Sequence, residues 1–301
     1  MGPPIDQPPS VMIFDVLQAK WRVPTTSGIP PRQRQGHTAN AVQGDRHLCV
    51  FGGIEPTGEQ KVARVYNDAH LLDLQSFTWR KLEAGGRRPP ARFGHSATNL
   101  PGSSMKLLII GGRDHLGGGD GAGGSPDPGL PGGFTDMHIL DIERRCWAQQ
   151  SYSGGPPAQA FYHSVSLINE QTLLFAASGT KAESSGPESV PVHILDLEAW
   201  RWSTPKTSGL GPAPRIGHAT QAVGSRVYLF GGVVKRGRQA AVDKAVYVLE
   251  TAQLRAEPEP PSAKAQEVKD AAREVKAAVA AVGKAERAKG EKVPRTDAKA
   301  R

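Results

Sequence analysis

Four histidines recur along this chain, and histidine is the residue that most often binds metal ions or moves protons near neutral pH. They lie about 60 residues apart, which is a period typical of repeat proteins. Three follow glycine and one follows tyrosine: His37, His95, His218 and His163. With one histidine per repeat, the side chains would be spread around a ring too wide for one ion to bridge. The pattern therefore predicts no metal site and no cofactor.

Carboxylates and thiols form no recognisable catalytic arrangement. Three aspartates each precede a tryptophan by six residues, where aspartate favours a turn between strands: Asp73, Asp141 and Asp196. Cys49 and Cys146 fall in apolar strand segments, which predicts reduced thiols rather than a disulfide. Asp114-His115 is an acid–base pair, but it lies in a glycine-rich insert. Since no nucleophile is paired with a base, the sequence predicts that the chain is not an enzyme.

Arginine recurs three residues before three of the histidines, at Arg34, Arg92 and Arg215, while the third copy has Ala160 there. The guanidinium group pairs with carboxylates through two parallel hydrogen bonds and stacks on apolar groups. We therefore predict that a protein partner with acidic segments binds these arginines together with two nearby ones, Arg32 and Arg113. The alternative is structural, because an arginine at a fixed repeat position can instead bond the carbonyls of segments that cross between repeats.

Glycine pairs and tryptophans mark the same repeat. A glycine pair follows an apolar run three times, at Gly52-Gly53, Gly111-Gly112 and Gly231-Gly232. Tryptophan follows aspartate by six residues in four places: Trp21, Trp79, Trp147 and Trp202. Because several markers recur together and in one order, the chain is a repeat protein.

These markers resemble the kelch repeat. The likeness rests on an apolar run ending in Gly-Gly, a Leu-Asp run, a tryptophan, and Pro-x-Arg-x-Gly-His opening the next copy. It covers about residues 11–250, and its Pro-Pro-Arg-x-Gly-His form is similar to host-cell-factor and Rab9-effector kelch proteins. The resemblance implies a β-propeller whose loop face takes peptide or protein segments.

Each copy contains four short strand signals, so one copy is expected to form an antiparallel meander that must stack against its neighbours. The expected fold is all-β, a kelch-type β-propeller of about four full blades plus a half blade. The tryptophans are expected between adjacent blades. The predicted segments are a flexible N-terminus 1–10, a half blade 11–28, blades near 29–86, 87–153, 154–208 and 209–256, and a charged tail 257–301.

The number of predicted blades leaves open whether the propeller ring closes. The two strands at residues 11–24 would complete a C-terminal sheet, or the chain would belong to a larger propeller whose other blades come from further sequence. An unclosed row of blades would expose sheet edges that favour self-association. The tail carries a narrow apolar stripe from Val268 to Val282, which fits a solvated helix or a disordered segment.

A net charge of +8 permits acidic partners without identifying them. Basic residues of the tail alternate with acidic ones, so no nucleic-acid partner is expected. No apolar run is long enough for a membrane span, and a cytoplasmic location is expected, with a nuclear one left open. The predicted function is a protein-interaction scaffold or adaptor. The alternatives are a docking subunit of a larger assembly, or a propeller enzyme with a metal or small-molecule site at the channel mouth.

Overall fold

The computed structural model describes residues 11–55, 63–114, 133–157, 161–176, 189–236, 239–252 and 254. All of them belong to the first of two units into which the chain divides, Met1–Ala256 and Glu257–Arg301. Within the described residues the regular secondary structure is entirely β-strand. The predicted tail helix, the first ten residues and most of the glycine-rich insert lie outside the described residues.

The first element is a hairpin of β1 (Ile13–Asp15) and β2 (Lys20–Arg22), which forms a two-stranded sheet by itself. Asp15 starts its turn by accepting hydrogen bonds from the backbone N–H groups of Leu17 and Gln18. Phe14 lies directly opposite Trp21 in this hairpin.

Blade one has five strands in the spatial order β3-β7-β6-β5-β4. Antiparallel pairing sets Leu72 opposite Trp79 and Phe51 opposite Ala69. Because side chains alternate between the faces of a sheet, Leu72 and Trp79 point away from the face that holds Phe51. The strands are β3 (Ser27–Gly28), β4 (Thr38–Val42), β5 (His47–Phe51), β6 (Ala69–Asp73) and β7 (Thr78–Leu82).

Blade two repeats this order as β8-β12-β11-β10-β9, and blade three has four strands in the order β13-β14-β15-β16. The strands of blade two are β8 (Gly85–Gly86), β9 (Ser96–Asn99), β10 (Lys106–Ile110), β11 (Met137–Asp141) and β12 (Cys146–Gln150). Those of blade three are β13 (Ser164–Asn169), β14 (Thr172–Ala176), β15 (Val192–Asp196) and β16 (Arg201–Ser203).

Blade four is built on one long strand, to which the other three strands of the blade pair. Its strands are β17 (Arg215–Val223), β18 (Arg226–Arg236), β19 (Gln239–Val242) and β20 (Val246–Glu250). No described strand pairs with the outer edge of β20, the position that β7, β12 and β16 fill in the other blades.

The segment that enters a blade first runs parallel to the outer strand of that same blade. Ser27–Gly28 pairs with β7, and Gly85–Gly86 pairs with β12. Gly28 and Gly86 have a positive φ, and a Cβ on either would collide with the carbonyl oxygen of the facing tryptophan. Glycine is therefore required at this crossing, because only glycine allows both the left-handed backbone and the close approach.

Trp147 and Trp202 lie between adjacent blades, as the sequence predicts, whereas Trp21 of the hairpin is exposed. Trp147 of blade two packs with Phe51 and Leu71 of blade one, and Trp202 of blade three packs with Ile110 of blade two. The innermost strands β4, β9, β13 and β17 adjoin in that order around the axis. The result is a four-blade propeller arrangement preceded by a hairpin.

Two faces of the propeller follow from this connectivity. The turns between the first two and the last two strands of a blade lie on one face. The other, called the crossing face here, is formed by the segments that enter each blade and by those joining second to third strands. Of the predicted partner-binding arginines, four belong to segments of the crossing face, and Arg215 is the first residue of β17 beside that face.

Candidate functional site

Arg92 is buried, and its side chain has a structural role. Its side chain is 0% exposed. The guanidinium donates to the Gly111 carbonyl at 2.8 Å and makes two hydrogen bonds to the Asp136 carboxylate, at 2.7 and 2.9 Å. Its Nε donates to the Pro90 carbonyl, and the Phe134 ring lies 4.4 Å from its central carbon. Every part of the guanidinium therefore has a partner within blade two.

Arg34 repeats this arrangement in blade one. Its guanidinium donates to the Gly52 carbonyl at 2.9 Å and to Asp68 at 2.6 Å, and it stacks on the Tyr66 ring. Its Nε donates to the carbonyl of Arg32.

Arg215 does the same in blade four, with its side chain 0% exposed. It donates to the Gly231 carbonyl and to Asp243, and it stacks on Tyr247.

The geometry thus favours the structural alternative for Arg34, Arg92 and Arg215. Each ties the segment that enters a blade to the first glycine of the Gly-Gly pair and to an aspartate beyond it. The repeated glycine has a matching role, since a Cβ on Gly52 would lie only 2.7 Å from the Arg92 carbonyl oxygen.

The aspartates of these pairs are functional residues of the fold that the sequence analysis missed. Burial raises the pKa of the Asp136 carboxyl, but hydrogen bonds from His138 and Arg92 outweigh this effect and hold that pKa below its ordinary value. Asp68 is held in the same way by His70 and Arg34. The available signal was an Asp-x-His that copies one and two share. Copy four has Asp243 but no histidine after it, and in copy three Pro191 takes the aspartate position. That copy also lacks the arginine, so both members of the pair are absent together.

Three of the four repeated histidines make a hydrogen bond to the neighbouring blade. His95 Nε2 lies 3.0 Å from Thr38 Oγ1, and His163 Nε2 lies 2.7 Å from Ser96 Oγ. His218 Nε2 bonds the Ala176 carbonyl at 3.2 Å, and burial lowers its pKa to about 4. Burial also lowers the pKa of His95 well below the ordinary value. These contacts give the histidines a role in joining blades.

The predicted turn aspartates also have their expected place. Asp73 accepts from the backbone N–H groups of Gln75 and Ser76, and Asp196 accepts from those of Glu198 and Ala199. Among the described residues, no group of three or more His, Cys, Asp and Glu side chains is placed to hold a metal ion. Cys49 is buried and Cys146 is half-buried, and both are free thiols.

A chain of backbone hydrogen bonds joins all four blades at the centre of the crossing face. Gly94 N donates to Gly36 O at 2.8 Å, Tyr162 N donates to Gly94 O at 2.6 Å, and Gly217 N donates to Tyr162 O at 3.0 Å. In blades two and three the residue before the bonded position is aromatic, Phe93 and Phe161, and both side chains are buried. The region around Phe93 and Phe161 at the centre of the crossing face is called the mouth here.

Arg113 lies at this mouth in a different environment from the buried arginines. Its guanidinium carbon is 4.3 Å from the Phe161 ring centroid and 5.7 Å from that of Phe93. Its Nε has no hydrogen-bond partner among the described residues, although it is shielded from solvent. Burial lowers the pKa of Arg113, and Tyr162 opposes that shift to a smaller extent. Arg113 is therefore a half-buried cation without a described anion.

Two further arginines of blade one are exposed on the crossing face. Arg64 lies 5.4 Å from the Tyr66 ring. Burial and the Glu55 carboxylate raise the pKa of Tyr66, and the nearby arginines, Arg32 and Arg64 among them, oppose this shift. No described carboxylate pairs with either of them. Arg113 is thus anchored on aromatic rings at the mouth, while Arg32 and Arg64 add positive charge in blade one.

One apolar pocket lies between blades three and four. Leu174 and Val190 of blade three form one wall, and Val227 and Leu249 of blade four form the other. At the equivalent boundary between other blades the later blade contributes a tryptophan, such as Trp147 or Trp202. The corresponding position of copy four, Ala256, lies outside the described residues.

No helix in the described ranges is long and apolar enough to cross a membrane.

Comparison with known proteins agrees with this fold. The model of the KLHDC2/KLHL20/DRC7 Kelch-repeats domain matches residues 5–232 and 116–285. The Rab9 effector protein with kelch motifs of Mus musculus is 26% identical over 222 residues, covering 72% of this chain and 52% of that protein. Acyl-CoA-binding domain-containing protein 5 of Arabidopsis thaliana is 26% identical over 272 residues, covering 76% of this chain and 40% of that protein.

A third relative, putative adagio-like protein 2 of Oryza sativa subsp. japonica, is 31% identical over 241 residues, covering 74% of this chain and 34% of that protein. The chain therefore spans between about a third and a half of the length of these relatives. The solved structure of YjhT covers 79% of this chain and is itself covered to 76%, with a TM-score of 0.54 and 17% identity, which shows the fold alone. The repeat markers, the four-blade arrangement and the family match together show that this chain belongs to the Kelch-repeat family.

Proposed function

We propose that this chain is a protein-interaction module that binds an acidic segment of a partner protein at the mouth of the crossing face. A role in protein interaction is in keeping with the Kelch-repeat family and with relatives such as the Rab9 effector proteins. The assignment of Arg113 as the binding residue, and of an acidic segment as what it binds, is our proposal.

The observation that carries the proposal is the environment of Arg113. The rings of Phe161 and Phe93 hold the guanidinium in place, so little rotamer freedom is lost when an anion binds. The neighbouring rings also reduce its hydration, which strengthens a hydrogen bond to a carboxylate. An aspartate or glutamate side chain of a partner would supply the acceptors that the described residues do not.

Arg32 and Arg64 support an acidic partner rather than a neutral one. Both are exposed on the crossing face and neither is paired with a described carboxylate. A second acidic residue of the same segment would approach them while the first is held by Arg113. Positive charge spread over such a face also increases the rate at which an acidic partner associates.

The test is a peptide-display selection on the 301-residue chain, followed by affinity measurements on the selected peptides. We expect the selected peptides to contain Asp or Glu, and their affinity to fall at least about tenfold in Arg113→Ala, as for other bonds to a charged group. The matched control is Arg144→Ala, an exposed arginine in a turn of the opposite face.

Circular dichroism of each variant confirms that it is folded before binding is compared. Selected peptides that lack acidic residues, or equal binding by Arg113→Ala and the unmutated chain, would contradict the proposal. A loss of affinity in Arg144→Ala of the same size would show a general charge effect rather than a site.

A further inference from the structure

Large apolar side chains that face solvent are concentrated at the two ends of the row of blades. With the exception of Leu210, those found among the described residues belong to the hairpin and the crossing after it, or to blade four. They are Met12, Phe14, Val16, Leu17, Trp21, Val23 and Ile29 at the first end, and Val223, Phe230, Val242, Val246 and Val248 at the second. Patches of this kind mark interaction sites on soluble proteins.

The first end presents a tryptophan where an internal blade buries one. Trp21 is 62% exposed and Phe14, directly opposite it, is 44% exposed. Trp147 and Leu140 occupy the same two positions in blade two and are 4% and 0% exposed. In blade two this pair packs on blade one, so the hairpin presents the half of an inter-blade interface that inserts the tryptophan.

The second end presents the complementary half. Phe230 lies opposite Val246 in blade four, just as Phe51 lies opposite Ala69 in blade one. Phe51 is 0% exposed because the Trp147 ring packs on it, with centroids 4.9 Å apart. Phe230 and Val246 are instead 46% and 62% exposed. Blade four therefore carries a surface of the kind that receives a tryptophan, without one on it.

We infer that these two ends bind each other between copies of this chain. The Trp21 and Phe14 face of one copy packs on the Phe230, Val246 and Val248 face of a second copy, and so reproduces the contact between blades one and two. The interface is head-to-tail, because it joins two different surfaces of the same chain. A second copy is the occupant that the structure supports, since both complementary faces belong to this chain and both are exposed in it.

Sedimentation velocity over a wide concentration range tests the inference on the 301-residue chain. We expect concentration-dependent association that is lost in Trp21→Glu alone and in Phe230→Glu alone. An equimolar mixture of the two variants should recover a one-to-one complex, because each variant retains the face that the other has lost. The matched control is Leu210→Glu, which changes an apolar residue that is 97% exposed but lies outside both faces.

Each other outcome would overturn the inference. If the chain stays monomeric at every concentration, the two ends do not bind each other between copies, and they are covered within one chain or by other blades. A mixture that fails to associate, or association lost in Phe230→Glu but retained in Trp21→Glu, would indicate contact between two like ends. Loss of association in Leu210→Glu would indicate non-specific aggregation. If a glutamate variant does not fold, Trp21→Ser and Phe230→Ser take its place with the same expected pattern.

Discussion

At the scale of single residues, arginine occurs in two different environments in this protein. Arg92 and Arg113 both belong to blade two, but within the described part of the chain only Arg92 forms an ion pair with an aspartate, Asp136. The carboxylate neutralises its charge and lets its side chain be wholly buried. Arg113 is surrounded by Phe161 and Phe93 and keeps an unpaired charge among the described residues. The difference between the two lies in their neighbours and not in the residue type.

Replacing Arg92 by alanine should destabilise the fold strongly. The change leaves the Asp136 carboxylate without its guanidinium partner and the Gly111 carbonyl without a donor. Breaking a buried ion pair on one side costs about 3 to 5 kcal/mol in the free energy of unfolding. Urea denaturation followed by circular dichroism measures this loss. Arg80→Ala, at an exposed position of β7, should change the same quantity by less than about 0.5 kcal/mol. A loss below about 1 kcal/mol in Arg92→Ala would refute the structural role given to this ion pair.

At the scale of the strand and the blade, the glycines and tryptophans act together. Glycine at Gly28 and Gly86 lets the entering segment lie against the outer strand, and that strand carries Trp79 or Trp147. The same tryptophan then packs on the preceding blade, so one strand joins the crossing segment to the interface. A blade in the middle of the row therefore packs its own tryptophan on the preceding blade and receives the tryptophan of the next blade on its other face.

Replacing Trp147 by alanine tests the contribution of one interface. Trp147 is 4% exposed between blades one and two, so its removal leaves a cavity there. The expected loss is about 3 to 5 kcal/mol in the free energy of unfolding. Trp21→Ala is the matched control, because Trp21 has the same repeat position but is 62% exposed.

At a concentration where the chain is monomeric, that control should change the free energy of unfolding by no more than about 0.5 kcal/mol. Equal losses in the two variants would show that the hairpin is covered in the same way as an internal blade.

At the scale of the whole molecule, stability depends on titratable side chains that are buried between the inner strands and beneath the crossing face. Buried histidines such as His95 and His218 stay neutral at the interfaces between inner strands. The Arg–Asp pairs fix the crossing segments of three blades. Acid acts against both, because it favours charged histidines and neutral aspartates, and the folded chain accommodates neither form.

Stability should therefore fall as the pH is lowered from 6.5 towards 4. His218 has a folded pKa of about 4 against an ordinary value of 6.5, so the unfolded chain binds more protons across this window. The effect of this one residue is about 3 kcal/mol in the free energy of unfolding. Urea midpoints at several pH values measure it, and His218→Gln should flatten the slope. A urea midpoint that stays constant, or that rises, as the pH is lowered from 7 to 5 would contradict the low folded pKa of His218. Protonation of Asp68 and Asp136 adds a further loss at lower pH.

Much of the fold could be predicted from the sequence alone. Strand positions, turn aspartates such as Asp73, and tryptophans such as Trp147 between blades all follow from local patterns that recur at one position in each copy. A repeat of this kind has the same solution in every copy, because each sheet must bury its faces against a neighbour. The Gly-Gly pair and the histidine were also visible as markers, although their partners were not.

Only the tertiary structure decided what the arginines do and which apolar faces remain uncovered. Arg34 and Arg92 find their aspartates 34 and 44 residues further along the chain, so neither pair is visible in a local pattern. Trp21 and Trp147 are likewise equivalent in sequence, but one is exposed and the other is buried. Burial depends on whether another blade packs against the sheet, and this is a property of the assembled molecule. The sequence alone therefore determined the repeat and its strands, while the packing of blades decided which apolar and charged side chains remain uncovered.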